Sequence, residues 1–245
     1  MVYNMETLAI LIPVKNNASF ITRALDSVVN QTAFLNGKFK YQIFLVDNDS
    51  SDNLKEVISK YENLTYLFCK VPGIVSALNT GIFHIMNLPH IKYIARIDSD
   101  DKWLENKIEI QFSHMLENPN IDICGTAIRF VRGNLFQEWH YGENHDNIIA
   151  DLQIGHNPIA HPSVIYKKDI FYKCGGYDET YKYNEDLDLW MRASKHFTFH
   201  NMQEVLLYYT FDRKSDAYHI EQDTNAQKLQ IRNLSINDRL SINRK

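Results

Sequence analysis

Cysteine is scarce in this sequence: Cys69, Cys124 and Cys174 are odd in number and far apart. That spacing makes neither a disulfide framework nor a zinc site, and it suits a reducing cytosol. Basic residues are not in excess, with 26 Lys+Arg against 30 Asp+Glu and a net charge of −4. A chain that coats nucleic acid is normally basic overall, so no nucleic-acid partner is expected. No apolar run approaches the ~18 residues that cross a bilayer as a helix. The start, Met-Val-Tyr-Asn-Met-Glu-Thr, lacks the basic and apolar regions of a secretory leader, so the expected compartment is the cytoplasm. Also missing are the phosphate loop Gly-x-x-x-x-Gly-Lys-Ser/Thr, Gly-x-Gly-x-x-Gly, Gly-x-Ser-x-Gly and His-Glu-x-x-His. With no Pro/Gly/Ser linker, internal repeat or low-complexity stretch, residues 1–245 read as one domain.

What is present is a chain with 44% apolar and 23% charged residues, enough to bury a large core. Leu8 to Val14 is a continuous apolar run and reads as a buried strand; Tyr41 to Val46 is a second run, Leu64 to Cys69 reads as a third strand and Lys92 to Ile97 as a fourth. Between them lie helical patterns. One is capped by Asn17 or Ser19 and faces inward through Phe20, Ala24 and Val28; another covers Asp52 to Tyr61. A third opens at Gly73 with Ile74, Leu78, Ile82 and Ile85 on one stripe. The alternation predicts an α/β fold: a central, mostly parallel sheet with helices on both faces. Further on, Lys102 to Leu116 reads as a helix capped by Asp101, Ile121 to Val131 as a strand, and 132–160 as loop with a short strand and a helix. Ser163 to Tyr166 and Val205 to Tyr209 read as strands and Asn184 to Ala193 as a helix.

Two strands run into acidic loops, Asp47-Asn48-Asp49-Ser50 and Asp98-Ser99-Asp100-Asp101. Ligands of open α/β sheets sit at the carboxyl ends of the strands, so both loops face one crevice. Carboxylates one residue apart suit a Mg²⁺ or Mn²⁺ ion that takes its other ligands from phosphate and water. Capping of the next helix competes with that reading. For Asp47 an aspartyl-phosphate nucleophile, a base or ribose contact and a simple turn all remain open. Glu185-Asp186 opens the late helix, where the dipole favours carboxylates and where one of them can act as a general base. Asp188 and Arg192 are spaced as an ordinary surface pair. Among the ten histidines His161 stands out, with a packed loop residue as the equal alternative.

Taken in order, the motifs resemble the inverting family 2 glycosyltransferases of the GT-A fold. The resemblance runs through Ile10-Leu11-Ile12-Pro13-Val14-Lys15-Asn16, Val46-Asp47-Asn48-Asp49-Ser50, Leu78-Asn79-Thr80-Gly81 and Asp98-Ser99-Asp100-Asp101. It continues through His161-Pro162-Ser163, Gly175-Gly176-Tyr177-Asp178-Glu179 and Glu185-Asp186-Leu187, covering about residues 8–210. It implies a UDP-sugar donor near Pro13, Val14 and Asp47, with Arg96, Asp98 and Ser99 also binding the donor. Asp100 and Asp98 would hold Mn²⁺ or Mg²⁺. Asp186 would be the catalytic base, with Glu185 beside it, and the acceptor a saccharide or lipid-linked glycan of surface polysaccharide or lipopolysaccharide. Residues 1–101 would form the nucleotide-sugar half, 102–210 the acceptor half, and 211–245 a lid and tail. This sequence has Asp-Asn-Asp-Ser where many members have Asp-Asp-Gly-Ser. It has Leu78 where many have Arg, and it lacks the Arg and His often found after Tyr209; Arg213 and His219 are the nearby substitutes. The basic tail from Lys228 to Lys245 fits peripheral contact with an anionic membrane, and equally a solvated helix or a homodimer contact.

Overall fold

The computed structural model describes residues 6–181, 183–210 and 229. Four strands, β1 (Thr7–Val14), β2 (Lys40–Asp47), β3 (Leu64–Phe68) and β4 (Ile91–Arg96), are mutually parallel in the order β3-β2-β1-β4. They are parallel because each is joined to the next by a helical crossover. The crossovers carry α1 (Ala18–Val29), α2 (Thr32–Leu35), α3 (Leu54–Ile58) and α4 (Ile74–Met86). Beyond β4 the sheet continues as β8 (Ile165–Lys167), β6 (Ile123–Arg132), β9 (Phe199–Thr210) and β5 (Lys102–Trp103), with β7 (Leu135–Trp139) paired to β6. In this second wing β6 and β9 are parallel and the other pairings antiparallel.

The run in β1 is unbroken because both faces of the strand are covered. Leu8, Ile10 and Ile12 pack with α1 and α5 (Lys107–Glu117) on one face. Ala9 and Leu11 pack with α4 and α8 (Glu185–Ala193) on the other. The second face also holds α6 (His145–Gln153) and α7 (Asp169–Cys174). Gly81 lets α4 lie close on the sheet, since a Cβ there would run into the Leu11 and Val46 side chains.

Several local expectations give way to long-range partners. Phe20 is exposed, and Ile21, Ala24, Leu25 and Val28 form the buried stripe of α1. The N-terminus of α1 is capped neither by Asn17 nor by Ser19. Asp52 accepts the Ala18 N–H at 2.8 Å from the next crossover, and α3 is correspondingly shorter than 52–61. The helix expected from Lys102 begins at Lys107, because Lys102 and Trp103 pair with Tyr208 and Leu207 as strand β5. Asp101 therefore caps nothing; it is buried and accepts the Thr210 N–H at 2.8 Å. Residues 161–163 form a 3-10 turn before β8, and the last strand starts earlier, at Phe199. The lid expected at 211–218, with Arg213, and His219 and the tail from Lys228 onward lie outside the described residues, apart from Leu229, which is buried.

Candidate active site

The parallel strands β1, β2 and β4 end at one edge, and their registers set the site. Pro13 and Val14 lie beside Val46 and Asp47, and Leu11 beside Arg96. The loops that follow are stitched together. Asn16, in the left-handed region at φ 49°, donates its N–H to Ser50 Oγ (2.9 Å) and accepts the Ser51 N–H (2.8 Å). Asn17 Nδ2 donates to Ser99 Oγ at 2.7 Å, joining the first loop to the acidic loop after β4.

Asp47 is enclosed. The Ser50 N–H donates to Oδ1 (2.9 Å), the Tyr66 hydroxyl to Oδ2 (2.7 Å), and only 2% of the residue is exposed. An aspartyl-phosphate nucleophile must stand open to its substrate, so that reading of Asp47 is overturned. Burial, and then the bond to Asp47, hold the Tyr66 phenol above its usual range. Asn48 braces the same turn. Its amide donates to the Cys69 and Val71 carbonyls and accepts the Gly73 N–H, which sets the start of α4.

In the second loop Arg96 is buried and forms a two-pronged ion pair with Asp98 (Nη1–Oδ2 2.9 Å). Burial opposes the guanidinium charge, but Asp98 and the nearby Tyr177 and Glu185 more than offset it, so Arg96 stays charged. The Asp98 side chain is 28% exposed and that of Asp100 half-buried. Arg23 donates to the Asp100 carbonyl and to Thr210 Oγ1, fastening the loop to the end of β9. Burial, and then the charge of Asp98, push the Asp101 carboxyl well up. Among the described residues no three His, Cys, Asp or Glu side chains converge to hold a cation alone. Asp98 and Asp100 offer one or two oxygens. That donor set fits a hard ion completed by ligand phosphates and water, and not a closed protein cage.

The third contribution comes from α8. Asn184 turns the chain in the left-handed region (φ 68°), and Glu185 and Asp186 open the helix with side chains only 11% and 13% exposed. Asp186 accepts Asn157 Nδ2 (2.7 Å) and the Leu187 N–H (2.8 Å). His161 lies below, its Nδ1 3.7 Å from Glu185 and 4.0 Å from Asp186, its Nε2 2.9 Å from the Tyr177 hydroxyl. Burial and then Arg96 push the imidazole down to about 3, so His161 is neutral near pH 7. Burial, seconded by Glu185, raises the Asp186 carboxyl, against His161, Asn157 and the Leu187 N–H.

The supports of this cluster are buried and polar. Asn79 of α4 grips Tyr177 from both sides, accepting its N–H and donating to its carbonyl at 2.8 Å each. Asp188 and Arg192 do pair, but not on the surface: Asp188 is fully buried, and Arg192 also donates to the Cys174 and Gly176 carbonyls. The pair thus clamps the turn that carries Tyr177. Lys107 lies wholly inside. It donates to Gln111 and to the Ser163 carbonyl (2.9 Å), with its Nζ 4.7 Å from the Trp103 ring centre. It thereby holds the turn that presents His161.

Burial pushes Lys107 down to about 7 from an ordinary 10.5. Between those values the unfolded chain binds more protons than the folded one, so this residue's contribution rises with pH across that window and is lost on descending through 7. The slope is at most about 1.4 kcal/mol per pH unit. Urea midpoints of the wild type and Lys107→Met are expected to diverge in favour of the wild type from pH 7 to 9. A constant difference would argue against the buried neutral amine.

Pro13, Val14, Asp47, Arg96, Asp98, Ser99 and Asp100 thus lie at the ends of β1, β2 and β4, and Glu185 and Asp186 at the start of α8, with Asp47 enclosed and Arg96 paired with Asp98. Sequence reasoning did not single out Asn157, Tyr177, Lys107 or Arg23 for this neighbourhood.

The family model described as Glycosyl transferase family 2 matches residues 9–175. The O-antigen biosynthesis glycosyltransferase WbnJ of Escherichia coli is 29% identical over 225 residues, covering 86% of this chain and 82% of its own length. An uncharacterized glycosyltransferase of Rickettsia felis is 31% identical over 193 residues, 76% of this chain but 30% of its own. Among solved structures, S. aureus TarS 1-349 in complex with UDP superposes with a TM-score of 0.70 at 17% identity, over 93% of this chain and 65% of that one. The Pyrobaculum calidifontis mannosyltransferase PcManGT, in complex with GDP-Man and Mn²⁺, gives a TM-score of 0.64 at 14% identity, over 90% and 61%. The chain thus spans most of WbnJ, under a third of the Rickettsia relative and under two thirds of either solved chain.

Proposed function

The chain belongs to glycosyl transferase family 2 and has the GT-A fold, and from that premise we propose an inverting, metal-dependent transfer of a sugar from a UDP-sugar to an acceptor hydroxyl. The observation that carries this reading is the meeting of two acidic sets at one crevice. Asp98 is backed by Arg96, and Glu185-Asp186 is backed by His161.

The roles follow from the environments. Asp98 and Asp100 would hold Mn²⁺ or Mg²⁺, and the bound ion would supply Lewis-acid neutralisation of the diphosphate leaving group. Arg96 holds Asp98 in place through the two-pronged pair. Pro13, Val14 and Ser99 line the strand ends where the nucleotide lies, and Asp47, through its bonds to Tyr66 and Ser50, shapes the base end of that site. Asp186 takes the proton from the acceptor hydroxyl as its oxygen attacks the anomeric carbon opposite the leaving group. The neutral His161 lies 3.7 and 4.0 Å from the two carboxylates and leaves their charge uncancelled. One displacement inverts the anomeric centre. Residues 1–101 chiefly serve the donor and 102–210 the acceptor. The WbnJ similarity supports an acceptor among surface polysaccharides, saccharide or lipid-linked. A lipid-linked acceptor would put the enzyme at the inner face of the membrane as a peripheral protein. No helix among the described residues is long and apolar enough to cross it.

Calorimetry with UDP, GDP and dTDP, each with and without Mn²⁺, tests the donor side without an acceptor. UDP is the first choice because TarS was solved with it, and GDP is the counterpart bound, as GDP-Man, by PcManGT. UDP is expected to bind, and more tightly with Mn²⁺. No binding of any nucleotide would overturn the reading.

A further inference from the structure

A separate hollow of about 500 Å³ opens beside Asp186, within the size range of small-ligand sites. Trp139, His140 and Tyr141 form one wall, and Asp151, Asn157 and Asn184 also line it. Asn157 connects the hollow to the site, because its amide donates to Asp186 Oδ2 at 2.7 Å. Tyr141 lies within reach of the same charge: burial and then Asp186 raise its phenol.

The wall is firmly built. Asn201 donates to the Gly142 carbonyl (2.8 Å) through its amide and to the Glu143 carbonyl (2.8 Å) through its N–H. Gln203 donates to the Tyr141 carbonyl (3.1 Å). Trp139 packs edge-on against Phe130, with ring centres 6.4 Å apart, yet is 49% exposed. A fixed aromatic plate with one open side suits the C–H face of a sugar ring. The amides, the imidazoles of His140 and His156, and Asp151 suit its hydroxyls. Among the described residues the lining includes no lysine or arginine. Another hollow of about 400 Å³ is the cationic one, lined by Arg23, Lys102 and Arg129 beside Tyr208.

We propose that the hollow beside Asp186 seats the acceptor as an uncharged sugar ring, stacked on Trp139 with one hydroxyl turned to Asp186. This rests on the transferase reading above and narrows its acceptor to a neutral saccharide at this subsite. An anionic sugar would meet Asp151 and Asp186, and the only lining groups among the described residues able to take up a positive charge are the imidazoles of His140 and His156.

The test uses the full chain with UDP and Mn²⁺. Saturation-transfer NMR follows methyl glycosides of glucose, galactose and N-acetylglucosamine, with methyl glucuronide as the charged counterpart. At least one neutral glycoside is expected to bind, and the glucuronide at least ten-fold more weakly. A change in tryptophan emission on binding that is lost in Trp139→Ala reports Trp139, since the other two tryptophans, Trp103 and Trp190, remain in that variant. Trp139→Ala is expected to weaken the neutral glycoside at least ten-fold with UDP affinity unchanged. In Asp151→Lys, on half-exposed helix surface, the preference shifts toward the glucuronide. The proposal is overturned if the glucuronide binds as well as the neutral sugars, if both variants bind like the wild type, or if no neutral glycoside binds. Failure of UDP alone to bind strikes the donor reading instead, because glycoside binding is read separately.

Discussion

Asp186→Asn is expected to lower turnover by roughly 10²- to 10⁴-fold, the usual loss when a positioned general base is removed. Asparagine keeps the size of the side chain and still accepts the Leu187 N–H through its carbonyl, so the fold and UDP affinity should persist. What disappears is the ability to take a proton. Coupled detection of UDP release, with the nucleotide affinity measured in parallel, separates the two effects. Near-normal turnover in the variant would move the base elsewhere, with Glu185 the first alternative. The wild-type pH profile carries a second sign of the same group. A base works only when deprotonated, and burial raises this carboxyl above its ordinary 3.8. The rate should therefore fall on acidification through a point above that value. His161 titrates lower, at about 3, and so does not blur this limb.

Asp100→Ala is expected to abolish the gain in UDP affinity from Mn²⁺ and to cut turnover on the order of a thousandfold, which corresponds to about 4 kcal/mol of lost charge stabilisation. Asp100 is the better probe of the two candidate ligands. Removing Asp98 would also strand the buried Arg96 charge, at a cost of about 3 kcal/mol or more to the fold. Titration of UDP at several Mn²⁺ concentrations gives the answer directly. Metal-enhanced binding that survives in Asp100→Ala would mean that Asp98 alone carries the ion, or that the ion rides on the nucleotide without protein help.

The parallel half of the sheet was legible because burial on both faces writes unbroken apolar runs. Leu8 to Val14 and Ile43 to Val46 are such runs, and every one of their residues is buried. The amphipathic stripe of α8 was legible for a similar reason. The errors share one cause, a partner remote in sequence. Leu104 fits a helical stripe with Ile108, Phe112 and Met115, but β9 claims Lys102 and Trp103 before it as strand neighbours. Asp101 and Asn17 were plausible caps by local chemistry, whereas the Thr210 amide and Asp52 decided the outcome. The spacing of Asp188 and Arg192 foretold their pairing, but not the carbonyls of Cys174 and Gly176 that bury them. Within the site, Asp98, Asp100, Glu185 and Asp186 were reachable through motif order. Asn157 sits in a mixed polar stretch with no periodicity, and Tyr177 shows its role only through contacts with Asn79 and His161.

The tie between the acidic loop and β9 also bears on how the molecule comes into being. Strand β5 pairs with β9 and with no other described strand, and Asp101 finds its hydrogen-bond donor at Thr210, 109 positions away. A ribosome delivers the acidic loop long before it delivers that strand. The first four strands can pair on the emerging chain, but Lys102, Trp103 and Asp101 must wait. In the newborn protein the acidic loop can therefore be held by Asn17, Arg23 and Arg96, and its tie to Thr210 forms when the last described strand takes its place between β5 and β6.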